Sequence, residues 1–256
     1  MIALPPSFLR HPVAHRAFHD IRAGRPENSR AAIRAAVAAG YGIEIDIQPS
    51  ADGEPMVFHD YDLKRLTGAK GAIRQRKASE LAKIGLLGGD EGIPTLAEVL
   101  EEVAGRVPLL IEIKDQDGAM GPQVGALERA VAAVLRGYGG DVALMSFNPH
   151  AVATLAEAAP DLPRGLTTCG YQMKDWPRLP RATRARLRAI ADFDAIGASF
   201  ISHNAKDLGR ARVAALKSAG AAVLCWTIRS PQAEAQARRI AQNVTFEGYA
   251  AAHPDA

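Results

Sequence analysis

The sequence predicts an α/β fold of the (β/α)₈ type, a TIM barrel, and three observations predict it. Short apolar runs of strand length alternate with stretches of helical periodicity from one end of the chain to the other. The chain has 256 residues, the size of one such barrel. Hydrophobic residues make up 48% of it, enough to fill a substantial core. The expected strands cover residues 13–16, 41–48, 56–59, 108–114, 142–147, 164–168, 193–200 and 222–228, which makes eight. Helical patterns lie between them at 28–39, 95–104, 121–135, 150–158, 181–191, 206–219 and 231–241. Asn28 can cap the first helix, Thr95 with Glu98 forms a capping-box pattern on the next, and Gly40 and Gly220 stand where a helix hands over to a strand. Residues 60–92, between the third and fourth strands, are weakly periodic and richer in Gly, Lys and Arg. They read as an insertion over one barrel face within a single domain of residues 1–256. A doubly wound open sheet is the alternative architecture for the same alternation.

Two of the expected strands carry charge where a buried strand should be apolar. Ile43-Glu44-Ile45-Asp46-Ile47 and Ile111-Glu112-Ile113-Lys114 each place their charged residues on one face, because side chains at i and i+2 share a face. An antiparallel surface strand would carry the same pattern harmlessly. In a sheet covered by helices, however, three inward carboxylates and an ammonium are costly unless their charge is compensated, and a divalent cation with a phosphate ligand fits that need.

The remaining composition excludes more than it assigns. With 31 Lys and Arg against 28 Asp and Glu, the net charge of +3 is mild and includes no long basic run, so nucleic acid is not an expected partner. Cys169 and Cys225 are far apart and outside any CxxC, which points to free thiols in a reducing compartment. The first residues lack a basic start followed by an apolar run, and no transmembrane-length apolar run occurs. A cytoplasmic protein without stable membrane insertion is expected.

Barrel chemistry collects at the C-terminal ends of the strands. His15 and His59 end the first and third expected strands, flanking the strand that carries Glu44 and Asp46. An imidazole both gives and takes a proton near neutrality. Two imidazoles, a metal and a cationic clamp are the set needed to break a phosphodiester.

At these residues the chain resembles the glycerophosphodiester phosphodiesterases. The resemblance rests on His15-Arg16-Ala17, Pro26-Glu27-Asn28-Ser29, Glu44-Ile45-Asp46, Asp52-Gly53 followed by His59-Asp60, and Glu112-Ile113-Lys114. It is dense over about the first 115 residues and thins to Ser146-Phe147 and Cys225-Trp226-Thr227 beyond them. It implies metal-dependent hydrolysis of a small glycerophosphodiester to sn-glycerol 3-phosphate and an alcohol. By the same resemblance Glu44, Asp46 and Glu112 would ligate one Ca²⁺ or Mg²⁺, His15 and His59 would form the acid/base pair, and Arg16 and Lys114 would hold the phosphate. Trp226 would line the substrate pocket, with simple core packing as its alternative role. Ala17 stands where the family has glycine and Phe18 follows it, so this loop is expected to reshape the pocket. The stretch from Val244 to Tyr249 departs from the family's Thr-Asp-x-Pro and carries no expected role. Glu27 is open between supporting the site and favouring a helix N-terminus. The arginines from Arg178 to Arg188 read as a solvated helix face. His19, His150 and His203 read as surface or structural residues. Two other functions remain open: a barrel cleaving lysophospholipids or phosphosphingolipids, and a silent barrel that only binds a phosphorylated ligand.

Overall fold

β2 (Gly42–Pro49) organises the sheet, and its alternation is resolved by the barrel wall. Ile43, Ile45 and Ile47 face outward into the main core, where they join Ile33, Leu96 and Val99 from the surrounding helices. Glu44 and Asp46, on the opposite face, point into the barrel. In the computed structural model, which describes residues 2–253, eight parallel strands close on themselves. Met1 and the last three residues, which the single-domain expectation includes, lie outside the described residues.

The barrel strands after β2 are β4 (Leu109–Ile113), β5 (Val142–Ser146), β6 (Arg164–Thr168), β7 (Phe200–Asn204), β8 (Ala222–Ile228) and β9 (Asn243–Phe246). β1 (Val13–Ala14) pairs with both β2 and β9 and closes the ring. Helices α2 (Arg30–Ala38), α5 (Leu96–Val103), α6 (Ala126–Leu135), α7 (Pro149–Ala158), α8 (Arg181–Arg188), α9 (Ala211–Ser218) and α10 (Pro231–Ala237) lie between the barrel strands. The predicted capping box of α5 forms, with Thr95 N–H donating to Glu98 Oε2 at 2.9 Å and Glu98 N–H donating to Thr95 Oγ1 at 3.2 Å.

The count of eight strands is right, but its membership changes. β3 (Pro55–Val57) runs antiparallel to β2 and is not a barrel stave. β1 is two residues long and on β2 pairs only with Gly42 and Ile43, which leaves the later edge of β2 free for β3 to pair Ile47 to Pro49. The missing stave is β9, where no strand was expected. The expected strand at 193–200 begins only at Phe200 and runs on to Asn204. Ser29 rather than Asn28 caps α2, its side chain accepting from Ala32 N–H at 3.1 Å. The insertion starts with the β2–β3 hairpin and carries two short helices, α3 (Lys64–Thr67) and α4 (Ala78–Leu81), over a small core of Met56, Phe58, Leu63, Ile73, Leu81 and Ile93.

The opposite end of the barrel is stoppered. In α1 (Ser7–Arg10) the Phe8 side chain is fully buried against Val13, Leu110, Ala143, Phe200 and Leu224. Asn243 on β9 ties this helix down by donating from Nδ2 to the carbonyls of Phe8 at 2.7 Å and His11 at 2.6 Å. Gly165 is the space that lets Phe200 fit, since a Cβ there would come within 2.6 Å of the ring. Replacing Phe8 by Ala leaves a cavity in this layer and should cost ~3 to 5 kcal/mol of folding free energy in denaturant titration. Because the stopper lies at the end away from the charged residues, kcat of the folded fraction should not change.

Candidate active site

All eight residues singled out in the sequence line one cavity of about 170 Å³ in the barrel mouth: His15, Arg16, Glu44, Asp46, His59, Glu112, Lys114 and Trp226. The register explains how the acids meet. β2 and β4 are adjacent and parallel with Asp46 opposite Glu112, so the two carboxylates are lateral neighbours, and Glu44 sits one pleat below Asp46. One oxygen from each of the three lies within 4.8 Å of the others, and all three residues are buried.

This cluster holds more negative charge than its neighbours cancel. Lys114 Nζ reaches Asp46 Oδ1 at 2.6 Å and Glu112 Oε1 at 2.5 Å. Arg16 Nε stands 3.6 Å from Asp46 Oδ2, while its Nη1 donates to Glu27 at 2.7 Å. Burial would push the Asp46 carboxyl up, but Lys114, His59 and Arg16 hold it well below the carboxylate range. Burial would likewise push Lys114 down, yet Asp46 and Glu112 keep it charged. Glu44 has no such partner, and burial together with Asp46 and Glu112 pushes it well above the carboxylate range. Its Oε2 accepts only the Arg16 backbone N–H, at 2.9 Å. Three hard oxygen donors with one uncompensated charge fit a hard divalent cation of the Ca²⁺ or Mg²⁺ type.

The loop after β1 is shaped by the same acids. Arg16 (φ +53°) and Ala17 (φ +66°) both adopt the left-handed conformation. That bend lets the Arg16 amide donate to the Glu44 carboxylate and the Ala17 amide to the Glu44 backbone carbonyl, and it accounts for a glycine at the second position in the family pattern. Phe18 does not reach the cavity as expected. Its ring packs on Tyr41 at 5.1 Å and on Phe246 at 6.2 Å instead. Asn28 (φ +60°), freed from capping, donates from Nδ2 to Asp46 Oδ2 at 3.0 Å.

Both histidines are anchored in the same manner, through residues the sequence reading did not assign. His15 Nδ1 bonds Glu247, which follows β9 and is also gripped by Arg229 at 2.7 Å. His59 Nδ1 bonds Asp60 Oδ1 at 2.7 Å. His59 arrives not at the end of a barrel strand but on the returning arm of the hairpin, where Phe58 N–H donates to Asp46 O at 2.9 Å and sets it beside the acids. Burial alone would raise Glu247 and Asp60, but their bonds to the histidines and to Arg229 and Arg65 hold both well below the carboxylate range. Burial, outweighing the Glu247 bond, lowers His15. An ionised carboxylate can only accept, so each Nδ1 carries a proton and Nε2 is the nitrogen left to exchange one.

One arginine of the insertion links the two halves of the site. Arg65 on α3 donates to both oxygens of Glu27 at 2.8 and 2.9 Å, and to Asp60 through Nε at 2.6 Å and Nη2 at 2.8 Å. Glu27 therefore holds Arg16 in place rather than serving a helix terminus. His203 is buried and structural, with Thr168 Oγ1 at 2.7 Å from its Nδ1. The arginines of α8 are mostly exposed and lie outside the cavity.

Comparisons with known proteins bear on the family and the fold. The model of the glycerophosphoryl diester phosphodiesterase family matches residues 15–246. A Bacillus subtilis protein named as a candidate glycerophosphodiester phosphodiesterase is 25% identical over 239 residues, 90% of each chain. A glycerophosphodiester phosphodiesterase of Caldanaerobacter subterraneus is 32% identical over 155 residues, 57% of this chain and 63% of its own. Among solved structures, an Oleispira antarctica phosphodiesterase in complex with its product sn-glycerol-3-phosphate superposes with a TM-score of 0.76 and 25% identity, covering 94% of each chain.

Glu247→Gln and Asp60→Asn each admit the wrong imidazole tautomer, since an amide can donate as well as accept. Each should lower kcat by about 10²- to 10⁴-fold in steady-state assays. The same acids fix a pH dependence. A carboxylate whose folded pKa is depressed stabilises the fold above its unfolded pKa, near 4, and that contribution is lost as pH falls through the depressed value. The wild-type Tm should therefore drop as pH falls below about 4, and the double variant Asp60→Asn, Glu247→Gln should show a shallower drop over the same range.

Proposed function

The chain belongs to the glycerophosphoryl diester phosphodiesterase family and is a phosphoric diester hydrolase acting on glycerophosphodiesters; from that premise we propose a cation-dependent, two-histidine mechanism that releases sn-glycerol 3-phosphate and an alcohol. The observation that carries it is the pair of imidazoles, each anchored at Nδ1 by an ionised carboxylate, lining the same cavity as the buried three-carboxylate cluster. The product bound by the Oleispira antarctica phosphodiesterase supports the choice of sn-glycerol 3-phosphate.

Glu44, Asp46 and Glu112 would hold one Ca²⁺ or Mg²⁺. Such an ion supplies Lewis-acid stabilisation of the charge that develops on the non-bridging oxygens. Arg16, fixed by Glu27, presents a guanidinium fork to the phosphate, and Lys114 presents a point charge. One histidine takes the proton of the attacking oxygen at Nε2. The other, protonated at Nε2, gives its proton to the departing alkoxide. Glu247 and Asp60 stabilise the imidazolium formed at each stage, and Arg65 keeps Asp60 and Glu27 in register with one another. Trp226 is fixed by donating from Nε1 to Ser202 O at 2.9 Å and presents its ring to the substrate. The chain would act as one domain over residues 1–256 with the insertion over the barrel mouth. Its free, buried Cys169 and Cys225 support a cytoplasmic setting. Among the described residues no helix is long and apolar enough to cross a membrane.

Chelation should abolish hydrolysis, and Ca²⁺ or Mg²⁺ should restore it; replacing any one of the three carboxylates by Ala should weaken cation affinity and activity together. Activity persisting in excess chelator, with no metal by elemental analysis, would end the cation part of the proposal. His15→Asn and His59→Asn should each lower kcat by about 10²- to 10⁴-fold with cation binding retained. A p-nitrophenyl diester, whose leaving group needs no proton, should rescue only the variant lacking the general acid.

A further inference from the structure

The α8 side of the barrel carries a charge that the rest of the molecule does not share. Residues 174–212 hold nine Lys and Arg against four Asp, whereas the rest of the chain holds 22 basic residues against 24 acidic ones. Between Asp175 and Asp192 there are five arginines and no acidic residue. Arg181, Arg184 and Arg188 share one face of α8, because residues three and four apart are neighbours on a helix, and the exposed Arg178 precedes them. The buried Leu187 marks the face turned to the barrel. Arg186 is paired with Asp192 and Arg210 lies 3.5 Å from Asp207, but among the described residues Arg178, Arg181, Arg184 and Arg188 have no carboxylate within salt-bridge distance. The open carbonyls at the end of the helix bring two more cations to it: Arg210 Nη1 donates to Arg188 O at 2.9 Å, and Arg212 donates to Ala189 O at 3.0 Å and Ile190 O at 3.1 Å.

We propose that this face adsorbs reversibly to a lipid surface bearing anionic headgroups. Arginines without acidic partners repel one another, and a plane of phosphates relieves that repulsion across the whole patch at once. An apolar contact stands beside the charge. Met173, at 69%, is the most exposed large apolar side chain among the described residues, and it lies in the loop that leaves β6 at the barrel mouth and leads into α8. Trp176 in the same loop packs on Phe147 of the catalytic cavity, with ring centroids 5.3 Å apart, so the patch begins next to the site. An anionic membrane offers phosphates to the arginines and acyl chains to Met173, whereas a nucleic acid offers the first without the second. α8 is eight residues long with four arginines, too short and too polar to enter a bilayer, so the contact is peripheral. Docking by this face would hold the barrel mouth beside the lipid, where ester hydrolysis of glycerophospholipids releases glycerophosphodiesters.

The test is cosedimentation of the full chain with vesicles of phosphatidylcholine alone and of phosphatidylcholine with about one-third phosphatidylglycerol. The chain should bind the anionic vesicles at low salt, release them at ~1 M salt, where the Debye length is ~3 Å, and leave the neutral vesicles unbound. The triple variant Arg181→Gln, Arg184→Gln, Arg188→Gln should weaken binding about 10²-fold, the scale of three basic residues at the surface, with an unchanged circular dichroism spectrum. Replacing the same three residues by Lys keeps the charge and should retain the binding. Removing equal charge at exposed positions on other parts of the barrel, with Arg10→Gln, Arg136→Gln and Arg239→Gln, should leave binding as in wild type. No binding to anionic vesicles at low salt, equal binding to neutral ones, or undiminished binding in the α8 Gln variant would overturn the proposal. So would an equal loss in the second Gln variant, which would make net charge rather than α8 the cause. Tighter binding to a DNA duplex than to anionic vesicles at the same phosphate concentration would assign the face to nucleic acid and overturn the lipid reading. None of these readouts involves hydrolysis, so their outcome stands apart from the proposed function.

Discussion

Three buried carboxylates are crowded into the mouth of a barrel. At separations of no more than 4.8 Å and an effective dielectric of about 20, each pair of unit charges repels by at least ~3 kcal/mol, more than the net worth of any single contact around them. The rest of the site follows from the need to offset that repulsion. Lys114 bridges two of the acids, Arg16 approaches one of them and bends its backbone to bond another, and Asn28 leaves its helix cap to hold Asp46. The left-handed turn at Arg16 and Ala17 belongs to this arrangement, since it aims the Arg16 amide at the Glu44 carboxylate. What the protein groups leave uncancelled is a charge that a divalent cation could offset.

Around this cluster a second set of acids performs a different task. Glu247 and Asp60 stay ionised because each has cationic or N–H donors, and each fixes a histidine by its Nδ1. Arg65 extends the network from the insertion by holding Asp60 and Glu27 at once, so the segment that looked like an ornament on the barrel sets the relative position of His59 and Arg16.

The legible parts of the site were those in which residues adjacent in sequence are adjacent in space. Glu44 and Asp46 declare themselves because charge interrupts an isoleucine run, and the two-residue period then fixes their common face. His59 was legible as a residue but not as a direction, because periodicity does not say whether a strand runs parallel or back on its neighbour. β9 was missed for a local reason: its inward positions are Asn243 and Thr245, so Asn-Val-Thr-Phe lacks the apolar density of a buried strand. Glu247 went with it, being 232 residues from the histidine it orients. Asp60 stood next to His59 in plain sight, yet its role depends on the turn of the hairpin arm. The barrel was still predicted correctly, since one strand wrongly counted as a stave balanced one that was overlooked.

The most direct measurement is a crystal structure of the protein soaked with Ca²⁺ and sn-glycerol 3-phosphate. The account predicts a cation bound by Glu44, Asp46 and Glu112, a phosphorus between His15 Nε2 and His59 Nε2, and both Nδ1 atoms still bonded to Glu247 and Asp60. A cation bound elsewhere, or a histidine nitrogen serving as its ligand, would contradict the division of labour between the carboxylates and the imidazoles.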